Sequence, residues 1–421
     1  MHLYEVPLLF SLIGLALYVV LGGADFGAGF WQLFAGRGER AARVREHAHH
    51  SMAPVWEANH VWLIFVLVVM WTSYPEAFAS IASTLSIPLF LAAVGIIFRG
   101  AAYALRSGTA SGRELRLVDT AFSLASILTP FALGTVVGGI ASGRVPVGNA
   151  QGDPWTSWLN ATSLTVGVLA VALSAYMAAV YLAADAVRTG DEELERSFRA
   201  RALGSGIAAG AVAAAGLVVL RDDVRELFDG LVSGGGLAAL IVSAVGGLAT
   251  LWLVSARRYE PARYSAGVAV AAVIAGWAIA QAPALLPGEL TVEQAAASHD
   301  TLVATTVAVL AGAVVLLPSL ALLFTLTLRG RLGEEHGAGG EPSAATAALR
   351  ALVPTRTSML VRLSIAFGIL GFGFLTLADS GWAHAIGVPC LVLFALFGFR
   401  AAVPLEEPEE QGISAPAEQE R

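Results

Sequence analysis

Runs of about twenty apolar residues recur along nearly the whole chain, with arginines gathered between them. A run of that length matches a helix crossing the roughly 30 Å hydrocarbon layer of a bilayer. Lipid offers no hydrogen bonds to a bare backbone, so a segment that crosses it must satisfy its own. The spans expected are 6–27, 54–74, 77–98, 117–141, 158–187, 203–220, 231–254, 264–284, 300–328, 359–378 and 383–404. The run 203–220 is short and rich in Ala and Gly, so it also admits a re-entrant segment. The fold class predicted is an all-α polytopic membrane bundle. Only 14% of the 421 residues are charged, against about 25% in soluble domains.

Arginine placement tests this division, because loops on the cytoplasmic side of a membrane protein collect basic residues. Every one of the 25 basic residues is an arginine, and 20 of them fall in odd-numbered loops or their margins. The even-numbered loops hold Arg144, Arg221 and Arg225. This pattern predicts an N-terminus outside and, with eleven spans, a C-terminus inside. His2 and Glu5 precede the first run in place of a basic region, and no A-x-A-like site follows, so that run reads as a retained helix. A net charge of −7 argues against a nucleic-acid partner.

Residues 1–328 are expected to form the main bundle, 329–358 a cytoplasmic linker, 359–404 a further two-span segment, and 405–421 a disordered acidic tail. The lone Cys390 excludes an internal disulfide or a cysteine-rich metal centre.

Ionisable groups inside spans are costly unless paired or turned toward a polar cavity, so they are the first functional candidates. Asp25 closes the first span, Glu57 and His60 open the second, and Arg99 closes the third. The topology sets all four at similar depth near the inner leaflet. Glu57 and His60 are spaced i, i+3, and Asn59 and Trp62 repeat that spacing on a neighbouring face. The group suits a proton relay, or equally a clamp in which Arg99 neutralises Asp25 or Glu57. Gly23 and Gly27 form a small-x-x-x-small pair, as do Gly134 and Gly138.

The histidine distribution speaks against direct haem ligation. His47, His49 and His50 lie in the first loop, His2 and His336 in exposed segments, and His299 and His384 at the starts of late spans. Only His60 falls within a span, and no second in-span histidine faces it. The triplet H-A-H-H (47–50) reads as part of a solvated loop, Trp155 and Trp158 as interfacial anchors, and Ser298 or Asp300 as a helix cap.

Two of these segments resemble a known family. G-G-A-D-F-G-A-G-F (22–30) and A-P-V-W-E-A-N-H-V-W-L (53–63) are similar to the family patterns D-G-x-D-x-G-x-G and P-x-W-D-x-N-x-V-W-L of subunit II of cytochrome bd-type quinol oxidases. L-Y-E-V (3–6), F-R-G (98–100) and S-H-D-T-L (298–302) add to the likeness, which covers roughly residues 3–330. Three departures stand out: Gly22 replaces an aspartate, Glu57 replaces an aspartate, and His60 stands where Gln or Glu is common. The two spans after 359 also exceed the family's nine.

The resemblance implies a subunit of a bacterial plasma-membrane oxidase that couples quinol oxidation to reduction of dioxygen to water. Its partner, subunit I, would carry the haems and the quinol site, while this chain would bind no haem directly. By resemblance, Asp25, Glu57, His60 and Arg99 would line a proton path or the pocket of a structural quinone. Trp56, Asn59, Trp62, Gly23 and Gly27 would form its packing shell. A polytopic secondary transporter is the alternative that the residues themselves leave open.

Overall fold

The computed structural model describes residues 2–36, 38–52, 56–106, 112–328, 360, 363–368, 370, 371 and 381–402. The expected linker 329–358 and tail 405–421 lie outside them. The chain divides into two compact units, Met1–Pro318 and Ser319–Arg421.

The first unit begins with a single rod, Leu3–Leu33. It comprises α1 (Val6–Leu17), a π turn (Tyr18–Gly22) and α2 (Gly23–Leu33). There follow α3 (Glu39–Met52), α4 (Trp56–Ser73), α5 (Pro75–Thr84), α6 (Ser86–Arg106), α7 (Gly112–Ala141), α8 (Ala161–Arg188), α9 (Glu192–Asp223) and α10 (Arg225–Leu231). Next come α11 (Gly234–Ser255), α12 (Tyr259–Gln281), a hairpin of β1 (Ala284–Leu286) and β2 (Leu290–Thr291), α13 (Val292–Ala295) and α14 (His299–Leu328). Among the described residues seven helices are long and apolar enough to cross a membrane, eight if the α5–α6 pair counts as one. Asn59–Ser73 and Ala385–Gly398 are shorter apolar helices. The chain is thus an all-α polytopic membrane protein.

Helix α8 is the axis of the first unit. Asn160 caps its start by accepting the Ser163 N–H at 2.9 Å, which satisfies one of the donors a helix leaves unpaired there. Gly190, at φ +72°, reverses the chain into α9, whose first turn is capped by Asp191. Alanines 178, 179, 183 and 186 on α8 are fully buried against α2, α3, α9 and α12. Small residues let these backbones approach closely, the usual substitute for a hydrophobic driving force within lipid. A Cβ on Gly134 would come within 2.8 Å of Gly167 Cα, and one on Gly138 within 2.5 Å of Ser163 Cα. The α7–α8 contact therefore depends on both glycines.

The run 77–98 is bent, with α5 and α6 meeting at an angle of 82°. Pro88 lacks the N–H that would reach the Thr84 carbonyl, and its ring crowds that position. The expected span 203–220 lies within a continuous 32-residue helix, long and apolar enough to cross a membrane. The first loop is not simply solvated, because α3 buries Ala41, Val44 and Ala48, and His47 lies 3.0 Å from the Leu182 carbonyl. Trp158 is buried in a second cluster with Tyr74, Leu85 and Leu286, while Trp155 is 56% exposed.

In the second unit, the helical residues 363–368 lie against α15 (Gly381–Ala402). Ser364 Oγ donates to the Phe394 carbonyl at 2.9 Å, and Phe367 stacks on Phe397 at 5.7 Å.

Candidate functional site

The π turn stands directly before α2. Such turns widen a helix by one residue and are frequent at functional sites. Asn59, at the start of α4, donates its amide to the Leu21 carbonyl inside that turn at 3.3 Å. α2 then advances into a slot between α7 and α8. A Cβ on Gly27 would sit 1.9 Å from the Ser174 carbonyl, and one on Gly29 would sit 2.2 Å from Ser126 Oγ. Gly23 is looser, with Ser174 Oγ at 3.6 Å. Glycine spacing on α2 thus sets how deeply Asp25 is carried into the bundle.

Asp25 meets Arg99 of α6 there. The two side chains form an ion pair with each only 2% exposed. Arg99 also donates to Ser126 Oγ at 3.0 Å and to the Asp25 carbonyl at 3.3 Å. The rings of Phe26 and Phe122 cover its guanidinium, each with a centroid 4.6 Å away. This cation–π contact strengthens when desolvated.

One carboxylate oxygen, Asp25 Oδ2, has no donor among the described residues, and neither does the buried Tyr18 hydroxyl have a partner. A buried acceptor left unmatched is expensive. It is also chemically available to a transferable proton.

His60 sits beside the pair, packed edge to face against Tyr18 and Phe26 with centroids 6.2 and 6.0 Å away. Trp62 is half-buried and meets Phe65 at 6.3 Å. The structure therefore gathers Asp25, His60, Arg99, Asn59, Gly23 and Gly27. The side chains of Trp56 and Glu57 lie outside the described residues. No group of three or more His, Cys, Asp or Glu among the described residues is arranged to hold a metal ion.

Sequence reasoning missed Tyr18, Phe26, Phe122 and Ser126. One signal was present, since Ser123, Ser126 and Thr129 recur every third residue in α7 and all three are buried. Trp31, also missed, anchors the end of α2 by donating to the Ala175 carbonyl at 2.8 Å.

Residues 3–327 match the family profile of cytochrome bd terminal oxidase subunit II. The chain belongs to this family. Among curated relatives, cytochrome bd ubiquinol oxidase subunit 2 of Bacillus subtilis is 28% identical over 119 residues, 28% of this chain and 34% of the relative. Cytochrome bd-I ubiquinol oxidase subunit 2 of Escherichia coli is 26% identical over 179 residues, 41% and 46% of the two chains. The alignments thus span between a third and a half of those relatives. A chain of the bd oxidase structure from Geobacillus thermodenitrificans aligns with a TM-score of 0.62 and 26% identity, over 78% of this chain and 99% of that one. Of the buried pair, Asp25 lies in the segment 22–30 and Arg99 in F-R-G (98–100), both of which carried the resemblance.

Proposed function

We propose that this chain is the non-haem-ligating subunit of a cytochrome bd-type terminal oxidase, and that it contributes a proton path from the cytoplasmic side. The observation that carries the reading is a buried Asp25 with one oxygen bound to Arg99 and the other unmatched, in a chain whose family profile covers residues 3–327. The haems of the partner subunit would supply the electron transfer to dioxygen. The work of this chain is to hold that partner in the membrane and keep a carboxylate at a fixed depth.

Asp25 suits proton traffic for a physical reason. Arg99 holds one carboxylate oxygen, and the other, Oδ2, has no donor among the described residues and is open to a proton. Tyr18 and His60 add a hydroxyl and an imidazole on the same side, and both can pass a proton. Phe26 and Phe122 cover the guanidinium of Arg99, and Ser126 and Ser174 line α2 beside the carboxylate. The arginine distribution supports a cytoplasmic location for the α2–α3 end. Nothing in the comparisons favours the secondary-transporter reading.

Purification of the tagged full chain from its native membrane tests the assignment. A haem-bearing multi-span polypeptide should come with it in equal amount, and the preparation should consume dioxygen when given quinol. Isolation of this chain alone, without haem absorbance, would overturn the reading.

A further inference from the structure

The outward face formed by α11 and α12 is unused by the proposed function. An open apolar groove of about 550 Å³ runs between these helices, lined by Ile241, Val245, Gly246, Ala249, Ser265 and Val268. Its floor exists because the helices close at Gly246, where a Cβ would lie 3.2 Å from Ala269. The one hydroxyl in it is consumed, since Ser265 Oγ donates to the Gly246 carbonyl at 2.8 Å. The lining therefore presents hydrocarbon alone.

At the arginine-rich end of the same helix pair the chain turns through Arg257 and Arg258. Arg257 adopts φ +59°, a left-handed conformation that glycine takes at least cost, yet the sequence places a guanidinium there. Arg199 of α9 reaches the same turn and donates to the carbonyls of Val254 and Ser255 at 3.3 and 2.6 Å. One carboxylate faces these three cations from α9, Glu195, 3.6 Å from Arg257 and also accepting from Tyr259. Glu260 pairs with Arg263 instead. Arg258 makes no ion pair among the described residues, and the turn holds an excess of positive charge. Trp252 and Tyr264, 62% and 76% exposed, stand between the turn and the groove, the place of interfacial aromatics.

We propose that this surface is a selective site for an anionic phospholipid. The phosphate sits against Arg257 and Arg258, and one acyl chain passes Trp252 into the α11–α12 groove. The lengths agree. Ser255 to Ile241 is about 21 Å of helix, longer than the roughly 15 Å of one leaflet, so a chain anchored at the turn lays its terminal part in the groove. Charge complementarity selects the lipid over the other occupants of an apolar face, because neither an isoprenoid tail nor a transmembrane helix requires a phosphate-binding turn. The proposal stands on the membrane fold alone and does not depend on the oxidase reading.

The test is native mass spectrometry of the full chain in the assembly with which it purifies, after exchange into bilayers of equal phosphatidylglycerol and phosphatidylcholine. Phosphatidylglycerol should be retained preferentially. Arg258→Gln should reduce that retention about fivefold and Arg257→Gln/Arg258→Gln about thirtyfold, with unfolding temperature unchanged. Ala249→Phe, which fills the groove and leaves the arginines intact, should lower retention of both lipids. Arg225→Gln, at the other end of the bundle, should change nothing. Equal retention of the two lipids, or indifference to the double arginine change, would overturn the proposal. So would a quinone tail or a partner helix found in the groove. If the double variant fails to accumulate, the Arg258→Gln and Ala249→Phe results decide the matter.

Discussion

Two acid–arginine sites near the arginine-rich end of the bundle use the same functional groups in different surroundings. Asp25 and Arg99 are each 2% exposed, inside a slot cut by glycines. Arg43 of α3 bridges to Asp191 and Glu193 at the start of α9 while itself 48% exposed. An exposed pair is screened by water and salt and contributes little to stability. A buried pair pays heavily for desolvation, and apolar residues of similar volume often replace it without loss. The exposed site is thus understandable as a latch that ties a surface helix to the bundle. For the buried site, stability is a weak reason to exist, and the unmatched Asp25 Oδ2 gives it a chemical one.

The largest expected effect comes from breaking the buried pair on one side. Arg99→Leu leaves Asp25 buried without its cation and should cost about 3–5 kcal/mol, read as loss of membrane accumulation and a lowered unfolding temperature in detergent. Asp25→Leu/Arg99→Leu should recover most of that stability. A double variant as unstable as the single one would argue that the pair is chiefly a clamp.

The slot itself can be tested next. Gly27→Ala drives a methyl into the Ser174 carbonyl and should destabilise by about 1–3 kcal/mol. Gly204→Ala on α9, where a Cβ meets no atom within 4 Å, should be neutral or mildly stabilising in the same thermal assay.

The exposed site gives the smallest effect and the clearest pH signature. The Leu194 N–H first, and Arg43 second, hold the Asp191 carboxyl below the usual carboxylate range. Its contribution is therefore complete above an ordinary aspartate value of about 3.9 and is lost as pH falls through the depressed one. Asp191→Ala should lower the unfolding temperature slightly at neutral pH, and the gap from the parent protein should close in acid. A gap that widened on acidification would contradict the assignment. Arg43→Ala should act more weakly still and vanish in high salt.

Much of this architecture was legible because lipid imposes a length on apolar runs and a position on arginines. The charged residues on three separate spans could be named from sequence, and two of them proved to touch. Their partners were harder to see. Phe26, Phe122 and Ser126 are ordinary span residues, and only the register of α2 against α7 gives them a role. The break at Leu85 had a visible cause in Pro88, hidden within an otherwise apolar run. The amphipathic spacing of Ala41, Val44 and Ala48 marked α3 as a packed helix, but the many charges around it gave the segment the look of a solvated loop. The π turn left no trace in the sequence, since it is set by how Asn59 and α4 meet the first rod.

Asp25→Asn keeps the shape and burial of the side chain while removing its ability to ionise. The decisive measurement is quinol-driven oxygen consumption by the assembled complex carrying this change, taken alongside its haem absorbance. The account predicts unchanged haem content and a rate reduced about a hundredfold or more, the scale on which removing a positioned proton-transfer group acts. A fully active complex with normal haem would show that Asp25 carries no protons and would contradict the central claim.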